Sequence, residues 1–115
     1  MTALHRIEVA VRPHLRDSLA ARLATQLAED AGIPVAAVRT LRVYTLEGDF
    51  SKAELERATV RLFADPVSEL STIDSPLVES VLPSFSHLFE VGFRPGVTDN
   101  VGHTAAEGLC ELLDR

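Results

Sequence analysis

The chain is poor in the residues that announce many functions. It has a single cysteine, Cys110, among 115 residues, which excludes an internal disulfide and a Cys-rich zinc site. It has no tryptophan, one tyrosine and five phenylalanines, so a base-stacking platform for nucleic acid is poorly supplied. Lys and Arg number 11 against 17 Asp and Glu, giving a formal net charge of -6, and the basic residues are scattered. Phosphate binding needs clustered cations, so no nucleic-acid partner is expected. No apolar run approaches the ~20 residues that span a bilayer. The first residues alternate charge and apolarity, unlike a signal peptide. A soluble cytoplasmic chain without a membrane partner is the expectation, with enough length for a core needing neither disulfide nor metal.

Strand and helix signals follow one another closely. Ile7, Val9 and Val11 alternate with Glu8, Ala10 and Arg12, a half-buried strand ended by Pro13. Asp17 is placed to cap a helix whose stripe is Leu19, Leu23 and Leu27, stopped by Gly32 and Pro34. Val38 to Leu46 reads as a second strand with Leu41, Val43 and Thr45 on one face and Arg42, Tyr44 and Leu46 on the other. Ser51 and Glu54 form a capping box. The helix they open buries Leu55, Ala58, Leu62 and Phe63, and Pro66 ends it. Val67 to Asp74 reads as a third strand, Leu77 to Leu82 as loop or short helix, and Leu88 to Arg94 as a strand again. From Asp99 a last helix turns Val101, Ala105, Leu109 and Leu112 or Leu113 inward. The class is α+β, a two-layer sandwich with helices on one face of a small antiparallel sheet.

An internal repeat runs through this order. Ile7 to Leu27 aligns without gaps on Phe89 to Leu109 at an offset of 82, with seven of 21 positions identical, including Glu8/Glu90, Val9/Val91, Arg12/Arg94, Pro13/Pro95 and Asp17/Asp99. Each copy encodes strand, arginine, proline turn, aspartate cap and helix. The expected division is a first unit over 1–75, a connector over 76–87 and the start of a second unit over 88–115. That second unit is completed either by a longer polypeptide or by another chain.

Residues 94–102, Arg-Pro-Gly-Val-Thr-Asp-Asn-Val-Gly, resemble the signature of the PurS subunit of phosphoribosylformylglycinamidine synthase. Gly96, Val97, Asp99, Gly102, Ala105 and Ala106 match it, Val38 to Tyr44 looks like the family's second strand, and Leu62 to Ser68 is similar to the end of its second helix. The first copy departs from the motif at His14, Leu15, Ser18 and Ala21. The tandem is similar to the N-terminal region of the fused PurS–PurL form of the synthase. The resemblance implies a non-catalytic assembly domain organising glutaminase (PurQ-like) and synthetase (PurL-like) parts, with self-association. The whole enzyme converts formylglycinamide ribonucleotide, glutamine and ATP to formylglycinamidine ribonucleotide. It also implies no cofactor in this segment, ATP and magnesium being held elsewhere.

Other chemistry is weaker. Cys110 beside Leu109 and Leu112 reads as a buried structural thiol rather than a nucleophile. His103 and Glu107 share a helix face but lack a third ligand, and His5, His14 and His87 read as surface histidines. Arg94 and the Gly96–Gly102 loop suggest a phosphate site at a helix N-terminus, but the Asp99 carboxylate already takes those donors. Arg12 and Arg94 either line a surface where two units meet or are solvated strand ends. Tyr44 and Leu46, on an otherwise polar strand face, suggest an interface. The candidate interface and loop residues are therefore Arg12, Asp17, Tyr44, Arg94, Gly96, Asp99, Asn100 and Gly102. The rival readings are a ferredoxin-like small-molecule-binding regulatory domain and, ranked last, a stand-alone enzyme.

Overall fold

In the computed structural model, residues 3–94 and 96–115 are described, so Pro95 of the repeated Arg-Pro pair lies outside the described residues. Among the described residues three strands form one antiparallel sheet in the order β2-β1-β3. They are β1 (Ala3–Val11), β2 (Arg42–Gly48) and β3 (Glu69–Ile73). The helices are α1 (Ser18–Asp30), α2 (Lys52–Ala58), a four-residue α3 (Val78–Val81) and α4 (Asn100–Leu113). The fold is thus α+β, as the residue pattern implies.

β1 is the central strand, and its alternation is buried on both faces. Ile7 and Val9 join Ala58, Phe63 and Leu109 in the main core, beneath α2 and α4. Ala10, on the opposite face, packs with Leu77 and Val81 of the α3 segment. The short helix therefore covers the face that a one-sided sandwich would leave open.

Three helix starts follow their caps. Asp17 accepts from the Ala20 N–H at 3.0 Å and Asp99 from the Gly102 N–H at 2.7 Å. Ser51 and Glu54 make both halves of the capping box. After Ala58 the second helix widens into a π-helical turn over Thr59–Phe63, closed by the Ala64 N–H on the Thr59 carbonyl at 2.8 Å. The wider turn changes which side chains face inward. Phe63 is buried, whereas Leu62, expected inside, is exposed.

Several sequence expectations are corrected by non-local pairing. β2 begins at Arg42 rather than Val38, because Arg42 pairs with Val9 and β1 ends at Val11. Residues 39 and 40 bond the Pro13–Asp17 loop instead. Tyr44 lies on the core face, since it stands opposite Ile7 in the ladder, and its ring packs on Phe63 at 4.6 Å. The strand expected over 88–94 does not form. Among the described residues no neighbouring strand takes its backbone groups, and Leu88, Phe89, Val91 and Phe93 are exposed. Leu19, Leu23 and Val101 are exposed too, since α1 buries only Ala20 and α4 only Leu109. Cys110 is exposed, one helical step round from the buried Leu109. The Cα radius of gyration, 15.9 Å, exceeds the ~13 Å of a compact chain of about 100 residues, in keeping with these uncovered segments.

The repeat supplies a paired test. Val9→Ala, in the core, should lower unfolding free energy by about 1–3 kcal/mol. Val91→Ala, at the equivalent exposed position, should change it by less than about 0.5 kcal/mol. Urea unfolding of both variants measures the contrast, and equal effects would contradict this placement of the two copies.

Candidate interaction groove and the two repeated loops

The structure separates the eight sequence-nominated residues into three groups. Tyr44 and Asn100 come together in a groove of about 510 Å³, between β2, the π-helical turn and the N-terminal half of α4. Its other walls are Leu62, Phe63, Val101, Thr104, Ala105 and Gly108. The lining is mainly apolar, with the Tyr44 phenol, the Asn100 amide and the Thr104 hydroxyl as polar groups. Thr104 donates to the Asn100 carbonyl at 3.0 Å, which fixes its hydroxyl on the first turn. A β-carbon at Gly108 would meet the Leu62 methyl at 3.5 Å, an ordinary van der Waals contact. Sequence reading missed Leu62, Thr104 and Gly108 as groove residues, because the π-helical turn that swings Leu62 outward has no local signature.

One edge of the groove is braced by charge. Arg42 donates to both Glu69 oxygens, at 2.7 and 3.2 Å, and to the Phe63 carbonyl at 3.0 Å. The hydrogen bonds from Arg42 hold the Glu69 carboxyl below its ordinary range, against the opposing pull of burial. Glu69 in turn accepts from the Asp65 N–H, so the turn into β3 is fastened to β2 across the central strand.

Arg12 and Asp17 form the first repeated loop and are structural. Arg12 donates to the carbonyls of Pro66 at 2.7 Å and Val67 at 3.0 Å, stapling the turn before β3. Asp17 is buried. Besides capping α1 it accepts from the Thr40 N–H at 2.8 Å and the Thr40 hydroxyl at 2.7 Å. Burial pushes its carboxyl up. The bonds from Ala20 and Thr40, with the charge of Arg39, outweigh that push and hold it below the usual aspartate range.

The second loop has the same local form without the same anchors. Gly96 adopts φ +85°, the left-handed region that glycine enters without penalty. The Val97 N–H closes the turn on the Arg94 carbonyl at 3.0 Å, and the Arg94 side chain has no partner among the described residues. Asp99 caps α4, but its second oxygen lies 2.6 Å from where a Gly102 β-carbon would stand. In the first loop the equivalent residue is Ala20, and Asp17 turns its second oxygen to Thr40 instead. Glycine at 102 is what lets Asp99 cap without such a partner.

His5 is half-buried rather than a plain surface residue. Its Nδ1 lies 2.7 Å from Asp74 Oδ2, beside a cavity of about 420 Å³ that Ser71 also lines. The hydrogen bond from His5 and that from the Arg6 N–H hold Asp74 below the ordinary carboxylate range. A Ser-His-Asp relay does not follow. Ser71 stands opposite Val9, four residues along β1 from His5, which is ~13 Å at the rise of a strand. Among the described residues no cluster of three or more His, Cys, Asp or Glu is arranged to hold a metal, and no helix is long and apolar enough to cross a membrane.

With this architecture in hand, the chain has the fold of a PurS subunit. It is similar to a solved structure of PurLQS from Thermotoga maritima, with 24% identity and a TM-score of 0.54, covering 64% of this chain and 95% of that one. It is equally similar to the PurS subunit of phosphoribosylformylglycinamidine synthase from Thermotoga maritima, at 24% identity and TM-score 0.54, covering 64% of this chain and 90% of that one. About two-thirds of this chain therefore spans nearly all of a PurS chain. No family model and no curated protein matches the sequence.

Asp17 generates a pH prediction. Its folded-state carboxyl is depressed, so its stabilisation is present above the ordinary aspartate range and is lost as pH falls through the folded value. Asp17→Asn keeps a cap oxygen but loses the charge and faces Thr40 with a donor. It should cost about 1–2 kcal/mol at pH 7, shrinking below about pH 4. Denaturation curves of both proteins between pH 3 and 7 check this, and a pH-independent difference would contradict it.

Proposed function

We propose that this chain is a non-catalytic assembly domain of a phosphoribosylformylglycinamidine synthase, the glutamine- and ATP-dependent ligase of purine biosynthesis. The observation that carries the proposal is the PurS fold, matched over 95% of the chain in a structure described as PurLQS. The Gly96–Gly102 signature and the tandem repeat support it from the sequence side. In this reading the chain works in the cytoplasm, self-associates, and bridges a PurQ-like glutaminase and a PurL-like synthetase. Hydrolysis of glutamine, and the ATP and magnesium of the ligation, belong to those partners.

The groove at Tyr44 and Asn100 is the surface we assign to partner contact. Its apolar lining and exposed Val101 suit a buried side chain from another protein. Mixed with the glutaminase and synthetase parts in the presence of glutamine and nucleotide, the chain should co-elute with them. Val101→Glu, at an exposed position, should leave the far-ultraviolet spectrum unchanged and weaken that association at least tenfold. Failure of the unaltered chain to co-elute would refute the assembly role.

The groove's volume also falls within the range of small-molecule sites, about 300–1,000 Å³. That observation favours the rival reading, a metabolite-binding regulatory domain. Calorimetry against amino acids and nucleotides separates the two, because saturable binding to the isolated chain supports only the second.

A further inference from the structure

The face of the sheet that builds the main core is not apolar throughout. His5, Ile7 and Val9 alternate onto it along β1, and Ile73 and Ser71 of β3 stand opposite Ile7 and Val9. Two of these five positions, His5 and Ser71, are polar, where a core row calls for apolar residues. Both line the cavity of about 420 Å³ between β3 and the start of α2. Departures from the core pattern concentrate at functional or strained sites. The volume suits a small molecule, for which about 300–1,000 Å³ is usual.

Part of the cavity wall is held in place. Asp74 engages His5 Nδ1 through Oδ2 at 2.7 Å and accepts from the Arg6 N–H on Oδ1 at 2.8 Å. Both its oxygens are therefore occupied, and Nε2 is the remaining polar atom of the His5 ring. Phe50 meets the His5 ring edge-on, with centroids 6.3 Å apart, and carries the Arg115 guanidinium 5.2 Å from its own centroid. A β-carbon at Gly48 would stand 2.9 Å from the Phe50 ring, so glycine there lets the ring fold back on the end of β2. Leu55 is buried and Ile73 half-buried. The rest of the wall is unengaged. The side chains of Lys52, Glu56 and Ser71 have no partner among the described residues.

We propose that this cavity binds a free α-amino acid with an apolar side chain, its carboxylate on Lys52, its ammonium on Glu56 and its side chain against Phe50, Leu55 and Ile73. The free charges select this class. Lys52 and Glu56 lie four residues apart in α2, a spacing that puts their β-carbons about 5–6 Å from each other on one helix face. One unengaged cation and one unengaged anion suit a zwitterion. A phosphate or dicarboxylate would meet the Glu56 carboxylate beside its lysine, and a diamine would meet the Lys52 ammonium. The apolar wall then decides among amino acids, since a polar side chain laid on Phe50, Leu55 and Ile73 would lose its hydrogen bonds to water. Ser71 supplies a hydroxyl that can bond either charged end.

This site shares no residue with the groove at Tyr44 and Asn100, so it adds a regulatory input to the proposed assembly role without depending on it. Co-elution with glutaminase and synthetase tests that role separately. For the cavity, the full chain is titrated with leucine by calorimetry at pH 7. One saturable site should appear, half-filled at or below about 1 mM. 4-Methylpentanoate and 3-methylbutylamine each keep the leucine side chain and lack one charge. Each should bind at least about tenfold more weakly, the loss expected for one charge-assisted hydrogen bond. Glu56→Lys, at an exposed position, should leave the far-ultraviolet spectrum unchanged. It should weaken leucine at least about tenfold and make 4-methylpentanoate the better ligand of the two. Val101→Glu, in the other groove, should leave leucine binding within about twofold of the unaltered chain. No saturable heat up to about 10 mM leucine, equal binding of the two single-charge analogues, or leucine binding lost in Val101→Glu but kept in Glu56→Lys would each overturn the assignment.

Discussion

Ile7 and Val9 on one side, Glu8 and Ala10 on the other, leave neither face of β1 in water. A strand buried on both faces needs a ladder along each edge and cover above and below. β2 and β3 supply the ladders, α2 and α4 one cover, and α3 the other. The polar member of this set shows how tight the constraint is. Glu8 is a buried carboxylate, which is costly unless paired. Arg6 reaches it with Nε at 2.9 Å, and the Leu77 N–H donates to it at 3.2 Å. The same carboxylate therefore neutralises its own burial and fastens the α3 segment across the sheet. An apolar residue at position 8 would leave the Leu77 N–H without that acceptor.

The internal repeat makes the dependence on context visible. Val9 and Val91 occupy equivalent positions with similar neighbours in sequence. One is in the core and the other in solvent, and the difference is the presence of flanking strands. Arg12 and Arg94 diverge for the same reason. Arg12 finds the Pro66 and Val67 carbonyls in the turn before β3, while the Arg94 side chain has no partner among the described residues. Only the features closed within a few residues behave alike in both copies. Asp17 and Asp99 each accept a backbone N–H three residues on.

That division also explains what was legible in the sequence. The caps at Asp17, Ser51 and Asp99 were readable because donor and acceptor lie within one turn. The alternation of β1 was readable because its burial is regular. The face presented by Tyr44 was not, since it is set by the Ile7–Tyr44 register rather than by the neighbours of Tyr44. The π-helical turn that leaves Leu62 exposed beside the buried Phe63, and with it one wall of the groove, leaves no pattern in the residues. The strand over 88–94 was overread for the complementary reason. Its local preference is genuine, but β structure is a property of pairs.

The scarcity of aromatic residues acquires a physical meaning in this light. The chain has six, and three of them, Phe85, Phe89 and Phe93, are exposed within nine residues of one another. Tyr44 and Phe63 stack within the core, and Phe50 lies under the Arg115 guanidinium at 5.2 Å. Arg115 also clasps Glu54, at 2.7 and 2.8 Å, so Phe50 belongs to the contact joining the end of α4 to the start of α2. Half of the aromatics thus build the described core and its rim. The other half are partly or largely open to solvent, Phe85 39%, Phe93 60% and Phe89 82% exposed. Each aromatic ring can bury ~150–250 Å², so Phe89 and Phe93, mostly open to solvent, leave apolar area uncovered. A sequence that spends its few large rings in this way is shaped for contact with something further.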